Sequence, residues 1–286
     1  IEKEDPGLAC LFRSAPPMAS SAGDIGLTFR ALLIDVCLWS FLILALKGIS
    51  PKVRVGYKFS KPRSTPEEEK RQADKIESIR SEIPKQVSSV LFSFYATFKV
   101  MEYYLFDVND SQFSFTIVCL LAYLLVDSVY ILIGGNFMNR KDLTMLLHHL
   151  IFTVETAWFV FHPKLIIWTG QVVIPFLLAE ISTIFLNSRW LVINLAGKAK
   201  SLFETFLSIS FLITFTVTRV IGYNVLLGKM VLFHGSTYAT MDSVTYIITI
   251  TVIVVGSCLN FYWLALILKA ATSGQQAEEN SQKKNK

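Results

Sequence analysis

Seven mostly apolar runs, each near the roughly 20 residues that a helix needs to cross a bilayer, divide this chain: Leu27 to Leu46, Val87 to Phe106, Phe113 to Ile133, Leu143 to Phe161, Leu165 to Leu186, Leu202 to Ile221 and Val244 to Leu268. Inside hydrocarbon every backbone N–H and C=O must be bonded within the protein, which leaves helices and closed barrels as the spanning structures. None of the runs alternates residue by residue as a barrel strand does. The expected fold class is all-α, a polytopic membrane protein of about seven transmembrane helices. The second and fourth runs are the weakest, because Lys99 and Glu102 interrupt one, and His148, His149 and Glu155 the other.

Charge orients the chain. Eleven Lys and Arg residues lie between Lys47 and Lys85, whereas only Lys3 and Arg13 precede the first run, against four acids. Positive loops stay cytosolic, so the loop 47–85 is expected inside and the N-terminus outside, lumenal if the membrane is the endoplasmic reticulum. Alternation of sides then agrees with seven spans. The acidic stretch Asp107 to Gln112 falls outside, while Gly134 to Asp142, Asn187 to Lys200 and the C-terminal tail fall inside.

The organisation expected is an N-terminal extension at 1–26, a first transmembrane helix at 27–46, a charged cytosolic loop at 47–85, a membrane domain at 86–269 and a disordered, polar cytosolic tail at 270–286. Met18-Ala19-Ser20-Ser21 reads as a natural start, so residues 1–17 are expected to be dispensable. Within the loop, one charged helical piece is expected from Pro66 to Glu82. The last residues, Lys283-Lys284-Asn285-Lys286, resemble the dilysine signal by which coat proteins retrieve a cytosolic tail to the endoplasmic reticulum, and a plain solubilising tail is the alternative.

Several function classes drop out. The four cysteines, Cys10, Cys37, Cys119 and Cys258, are scattered, three of them in spans, and suggest neither a disulfide framework nor a zinc knuckle. No G-x-S-x-G elbow, phosphate-binding loop or dinucleotide fingerprint is present, and no internal repeat suggests an inverted-repeat transporter. No nucleic-acid partner is expected.

The polar residues within the spans carry the remaining information. Asp35, Lys99, Glu102, Asp127, Glu155, Glu180 and Arg219 join the two histidines. Each charge alone at mid-bilayer costs about 2.5–3.5 kcal/mol on insertion scales, so these groups are expected to face one another or a cavity. Five acids against two bases leave a surplus of acid, so some carboxyls must be neutral or paired with a histidine. Lys99 and Glu102, three residues apart, are expected to neutralise each other. His148 shares a helix face with Thr144 and Glu155, and His149 with Asp142, Met145 and Thr153. Seven residues span about 10.5 Å along a helix, so each histidine needs water or a residue of another span to reach a carboxylate.

Imidazole serves as general base, nucleophile or metal ligand. Adjacent helical residues diverge by about 100°, which is poor geometry for clamping one ion. The only other histidines, His162 and His234, sit at predicted lumenal edges and read as interfacial side chains. No metal and no resident cofactor are expected.

The run Asp142-Leu143-Thr144-Met145-Leu146-Leu147-His148-His149 and on to Thr153 resembles the core motif of the TLC domain, the fold shared by the translocating-chain-associated membrane protein and ceramide synthases. The resemblance extends to Tyr123 and Asp127, to Glu180-Ile181-Ser182-Thr183 with Asn187 and Arg189, to Arg219-Val220 and to Asn260-Phe261-Tyr262-Trp263, and covers roughly Gln86 to Lys269. The Glu180 to Trp190 stretch looks most like the transmembrane protein 56 branch, also called TLC domain-containing protein 4. The family implies six helices around a long apolar cavity, with the first helix of this chain packed outside. Members that make ceramide transfer an acyl chain from coenzyme A to a sphingoid amine. Carried over, His148 and His149 would be acyl acceptor and general base and Asp142 would orient one of them. Tyr123, Asp127, Glu155, Glu180, Arg219, Asn260 and Trp263 would contact the substrate. Ceramide synthases continue into a motif with a His-Asp pair and a further Asp, where this chain has Leu177-Leu178-Ala179-Glu180-Ile181-Ser182.

Three readings stay open. The first is a lipid-handling protein of the endoplasmic reticulum that influences membrane lipid composition, with membrane lipids, fatty acyl or sphingoid, as its partners. The second is an acyltransferase with acyl-coenzyme A as co-substrate. The third is a non-catalytic trafficking or partner protein whose histidines brace the helices.

Overall fold

The computed structural model describes residues 23–53, 55, 65–105, 110–134, 140–162, 165, 168–196, 201–233, 238 and 241–284. Among them there is no strand. The helices are α1 (Gly23–Ile49), α2 (Pro66–Leu105), α3 (Asp110–Gly134), α4 (Arg140–Phe161), α5 (Ile174–Leu178), α6 (Glu180–Leu195), α7 (Leu202–Thr214), α8 (Gly222–Leu232) and α9 (Ser243–Lys284). Two π-helical segments complete the rods, Thr169–Val173 leading into α5 and Phe215–Ile221 joining α7 to α8. The chain is thus an all-α polytopic membrane protein, whose described residues form seven rods.

Among the described residues six stretches are long and apolar enough to cross a membrane: Arg30–Lys52, Ser114–Ile133, Leu143–Phe161, Gln171–Leu195, Leu202–Leu232 and Ser243–Ala271. The remaining expected run, Val87 to Phe106, forms the second half of α2 as far as Leu105, where the described residues of that helix end, and its serines with Lys99 and Glu102 lower its apolarity. Helix packing closes a ring in the order α2, α6, α7 with α8, α9, α4, α3 and back to α2. The remaining helix, α1, lies against α2 and α3 outside that ring. Its outward residues Leu33, Ile34, Leu38, Phe41 and Leu44 are exposed, which a lipid environment favours.

Several boundaries differ from those read in the sequence. Pro84 does not separate a loop helix from a span, because α2 runs through it for 40 residues, or about 60 Å. Proline removes one helical hydrogen bond. The buried neighbours Ile79, Ile83 and Phe92 hold the flanking turns against the bundle regardless. Thr65 begins the helix by accepting the Glu68 N–H at 3.3 Å, with Pro66 first in the helix and Glu67, Glu68 and Glu69 in its positive first turn. The fifth rod continues to Leu195, past the Leu186 expected, so Asn187 and Arg189 are helical. The last helix passes Leu268 and stays helical through Lys284, where a disordered tail was expected. Ala, Gln, Glu and Lys are good helix formers, and only Gly274 interrupts the segment. Residues 1–22, including Met18, and the final Asn285 and Lys286 lie outside the described residues.

Neighbouring rods lock at specific points. Lys99 Nζ meets Glu102 Oε2 at 2.6 Å, the local neutralisation their spacing predicts. Ser201 caps α7 by accepting the Glu204 N–H at 3.1 Å, and Arg189 of α6 donates to Glu204 Oε1 at 2.5 Å and to Ser208 Oγ at 2.7 Å. Asp242 caps α9. Its Oδ1 accepts the Thr245 N–H at 3.0 Å and its Oδ2 accepts the Thr245 hydroxyl at 2.6 Å, while Trp158 of α4 donates to that same hydroxyl at 2.9 Å. Gly256 of α9 lets two aromatic residues approach, since a Cβ there would meet Tyr223 Cε1 at 2.9 Å and Phe152 Cζ at 3.5 Å.

Two predictions follow from these contacts. Gly256→Ala gains about 1 kcal/mol of helix propensity but loses about 1–3 kcal/mol to overpacking. Tyr223 is buried among Phe152 and Phe176 and has no room to retreat, so the variant should melt lower than wild type in detergent. Gly228→Ala, with nothing within 4 Å, should not. The Thr245 hydroxyl and N–H hold the Asp242 carboxyl below its usual 3.8. A depressed carboxyl stabilises the fold above its unfolded pKa, and that contribution fades as pH falls through the folded value. The effect should be small because Asp242 is exposed, and it should show as a melting-point decline below about pH 4 that Asp242→Asn flattens.

Candidate functional site

Charged and polar side chains gather inside the ring in two linked groups. The first is centred on Arg219, which lies in the π-helical Phe215–Ile221. Its Nε donates to the Ala179 carbonyl at 3.2 Å and to Ser182 Oγ at 2.9 Å, and its Nη2 to Glu180 Oε1 at 3.2 Å and Thr183 Oγ1 at 2.9 Å. The chain turns at Ala179, where α5 ends and α6 restarts at Glu180, and the Ala179 carbonyl also accepts from the Ser182 N–H at 3.3 Å and the Ser182 hydroxyl at 2.9 Å. The other oxygen of Glu180 accepts from Ser93 Oγ of α2 at 3.1 Å. Asn260 of α9 donates to the Arg219 carbonyl at 3.2 Å. The Arg219 guanidinium therefore joins the π-helical segment to α6 and, through Glu180, to α2, while the Arg219 carbonyl joins it to α9.

The second group carries the histidines. His149 Nδ1 lies 3.4 Å from Asp127 Oδ2 of α3, and both side chains are buried. The contact is longer than a good hydrogen bond, and His149 Nδ1 and Asp127 Oδ1 have no other protein partner. Tyr123, one turn from Asp127, donates to Ser89 Oγ of α2 at 3.1 Å and stacks on Phe92 at 4.0 Å. Beyond this pair, His148 stands in an aromatic wall. Its ring is 4.6 Å from Phe152, 5.3 Å from Trp263 and 5.6 Å from His149, and its buried Nδ1 has no hydrogen-bond partner.

The candidates read from the sequence thus fall into three sets. Tyr123, Asp127, His148, His149 and Trp263 come together, and so do Glu180, Arg219 and Asn260. Glu155 stands apart. It is 2% exposed, and neither of its carboxyl oxygens has a partner. The partner from another span that His149 needed is Asp127. Asp142 lies in the first turn of α4, and its side chain is outside the described residues. Glu180 and Arg219 use their polar atoms on each other and their neighbours. His162, as an interfacial residue should, is exposed, with Nδ1 2.9 Å from the Trp158 carbonyl and its ring stacked on Trp158 at 3.9 Å. His234 lies outside the described residues.

Sequence reasoning missed the α2 side of the site. Ser89 and Ser93 sit four residues apart on one face, deep in a run whose charges drew attention elsewhere. Small hydroxyl residues on the buried face of an otherwise apolar helix were the available signal, since they let helices approach and bond across.

A family model, the TLC domain, matches residues 85–269. No curated protein matches the chain.

Removing one partner of a buried, hydrogen-bonded pair leaves an uncompensated charge and costs about 3–5 kcal/mol. Arg219→Ala should therefore destabilise the protein more than Ser93→Ala, which removes one neutral hydroxyl worth about 1 kcal/mol. Thermal unfolding in detergent checks the order, and equal melting points for the two variants would contradict the role given to Arg219.

Proposed function

Because the chain belongs to the TLC-domain family, we propose that it acts in membrane lipid metabolism or homeostasis, taking up a lipid head or acyl group at the polar centre between α3, α4 and α9. The observation that carries this reading is His148. An imidazole nitrogen without a partner, walled by Phe152 and Trp263 and adjacent to a second histidine that faces an acid, offers a polar anchor inside apolar surroundings. We place the protein in the endoplasmic reticulum, with its N-terminus lumenal and its C-terminus cytosolic. The positive loop 47–85 supports this orientation, and the dilysine-like end supports coat-protein retrieval.

The His149–Asp127 contact favours a second, catalytic reading, because an acid beside an imidazole is how a general base is oriented. In that reading a nitrogen of His148 attacks the thioester carbonyl of an acyl-coenzyme A. The C–S bond breaks, the coenzyme A thiolate takes the imidazolium proton, and the acyl group passes to a lipid amine or hydroxyl as the bond from the acyl carbon to His148 breaks and the acceptor's proton returns to the imidazole. The departure from ceramide synthases at Leu177 to Ser182 leaves the acceptor open.

Mass spectrometry of the purified protein tests both. Native spectra of wild type should show bound lipid that a folded His148→Ala/His149→Ala variant loses. A fatty-acyl increment that survives denaturation after exposure to acyl-coenzyme A, and requires one histidine, would establish the transferase. Undiminished lipid in the double variant, or none in folded wild type, would leave the histidines a bracing role.

A further inference from the structure

Lys85 is a half-buried cation that no acid answers. Lys99 meets Glu102, Arg189 meets Glu204 and Arg219 meets Glu180, but among the described residues no acid forms an ion pair with Lys85. Four residues before Ser89 and seven before Phe92, it lies on the face of α2 that those two turn toward Tyr123 of α3. Two hydrogen bonds fix its level. Tyr123 bonds Ser89 at 3.1 Å and Tyr130 bonds the Ser81 carbonyl at 2.7 Å, so α2 and α3 run antiparallel. Lys85, midway between Ser81 and Ser89, comes level with Asp127, which lies between the two tyrosines. The ammonium accordingly acts electrostatically on His149, the residue that Asp127 faces.

The acids of this region are engaged elsewhere. Glu82 takes up Gln86 at 3.3 Å, Glu180 is shared by Arg219 and Ser93, and Asp127 turns one oxygen to His149. A lysine that served only to neutralise Asp127 would close on its other oxygen, yet Asp127 Oδ1 has no hydrogen-bond partner. Lys85 therefore brings three N–H donors that require acceptor oxygens from outside the protein. Ser89 adds a donor one turn away on the same face, because its Oγ accepts from Tyr123 and keeps its own proton to give. In the other direction the bundle is filled, since Phe152, one turn past His148, packs on Phe176 and Tyr223. The open polar groups lie on the side of that layer where α2 enters and α4 begins, the end we place in the cytosol.

The geometry points to Lys85 and Ser89 as a phosphate site beside the histidine centre, one that holds the phosphate of a phospholipid whose acyl ester or amide lies at His148. The acyl carbon of a lipid is uncharged, so the anion that such a ligand can offer Lys85 is its phosphate, whose oxygens accept from ammonium and hydroxyl together. Spacing selects the phospholipid. Lys85 is level with the Asp127–His149 contact, so phosphate and acyl carbonyl must be close neighbours in the ligand. In a phospholipid only the glycerol or sphingoid carbons separate them, whereas in acyl-coenzyme A the whole pantetheine arm does. Lys85 also stands just before the apolar run that opens at Val87, where an amphiphile's head meets the membrane edge and a lysine stem reaches toward it. The site deepens the lipid-binding reading proposed above and rests on it.

Binding of matched probes to the purified full chain in detergent tests this. Dioleoyl phosphatidic acid and dioleoylglycerol share their chains and differ in the phosphate. Wild type should bind the first at least about tenfold more tightly, Lys85→Gln should cut that preference below about threefold, and Lys85→Arg should keep it. If Lys85→Gln does not fold, wild type decides the same question, because phosphatidic acid and not dioleoylglycerol should protect Lys85 from reductive methylation. Equal affinity for the two probes, an undiminished preference in folded Lys85→Gln, or equal protection by both would overturn the phosphate site while leaving lipid binding in place. An equal loss of palmitoyl-coenzyme A affinity in Lys85→Gln would assign the cation to an acyl donor and overturn the phospholipid. Binding of neither matched probe by folded wild type would overturn this site and the lipid-binding reading together.

Discussion

A guanidinium inside an apolar bundle must be met by protein groups, and the architecture is arranged around doing so. Arg219 needs acceptors from several directions, so the fifth rod breaks at Ala179 to offer a carbonyl, and α6 begins with Glu180 to offer a charge. Ser93 then holds the far oxygen of Glu180, which draws α2 into the same network, and Asn260 draws in α9. The π-helical turn carrying Arg219 belongs to this arrangement, since Asn260 of α9 bonds the Arg219 carbonyl there. Buried ionic networks of this kind are weak sources of stability compared with apolar packing, but breaking one member is costly, so they specify which helices meet.

With that network closed on itself, the chemistry left open at the centre lies elsewhere. His148 and His149 are adjacent in sequence and diverge in environment. One faces an acid across a helix interface, and the other stands against aromatic rings with a nitrogen unused. That asymmetry distinguishes an orienting member from an available one, a division of labour shared by lipid anchoring and acyl transfer. The polar stripe of α9, Thr245, Thr249 and Asn260, continues the same logic along the opposite wall, with polar residues buried among Val252 and Ile253.

Much of the site was legible before any coordinates. The double histidine interrupted an apolar run, and most of the charges inside the spans were singled out, because the cost of burying charge makes them conspicuous against hydrocarbon-like sequence; Glu204, inside the sixth run and paired with Arg189, was not. The pairing of Lys99 with Glu102 followed from their spacing alone. Ser89 and Ser93 were not singled out, since a serine in an apolar run carries no comparable penalty and stands out only when its partner is known. The length of α2 was misread at Pro84, because a proline's local cost is visible in sequence and the burial of Ile79 and Phe92 that offsets it is not.

By itself, then, the sequence determined the solvent, the helical class, the ionisable groups and the face that each occupies on its own helix, because these depend on composition and on a period of 3.6 residues. Only the tertiary structure decided which of those faces meet. It set Asp127 rather than a carboxylate of the same helix against His149, joined Arg219 to Glu180, and left Glu155 without a charge to answer it. Such pairings span tens of residues along the chain, and they are set by how the ring of helices closes rather than by anything local to the residues that take part.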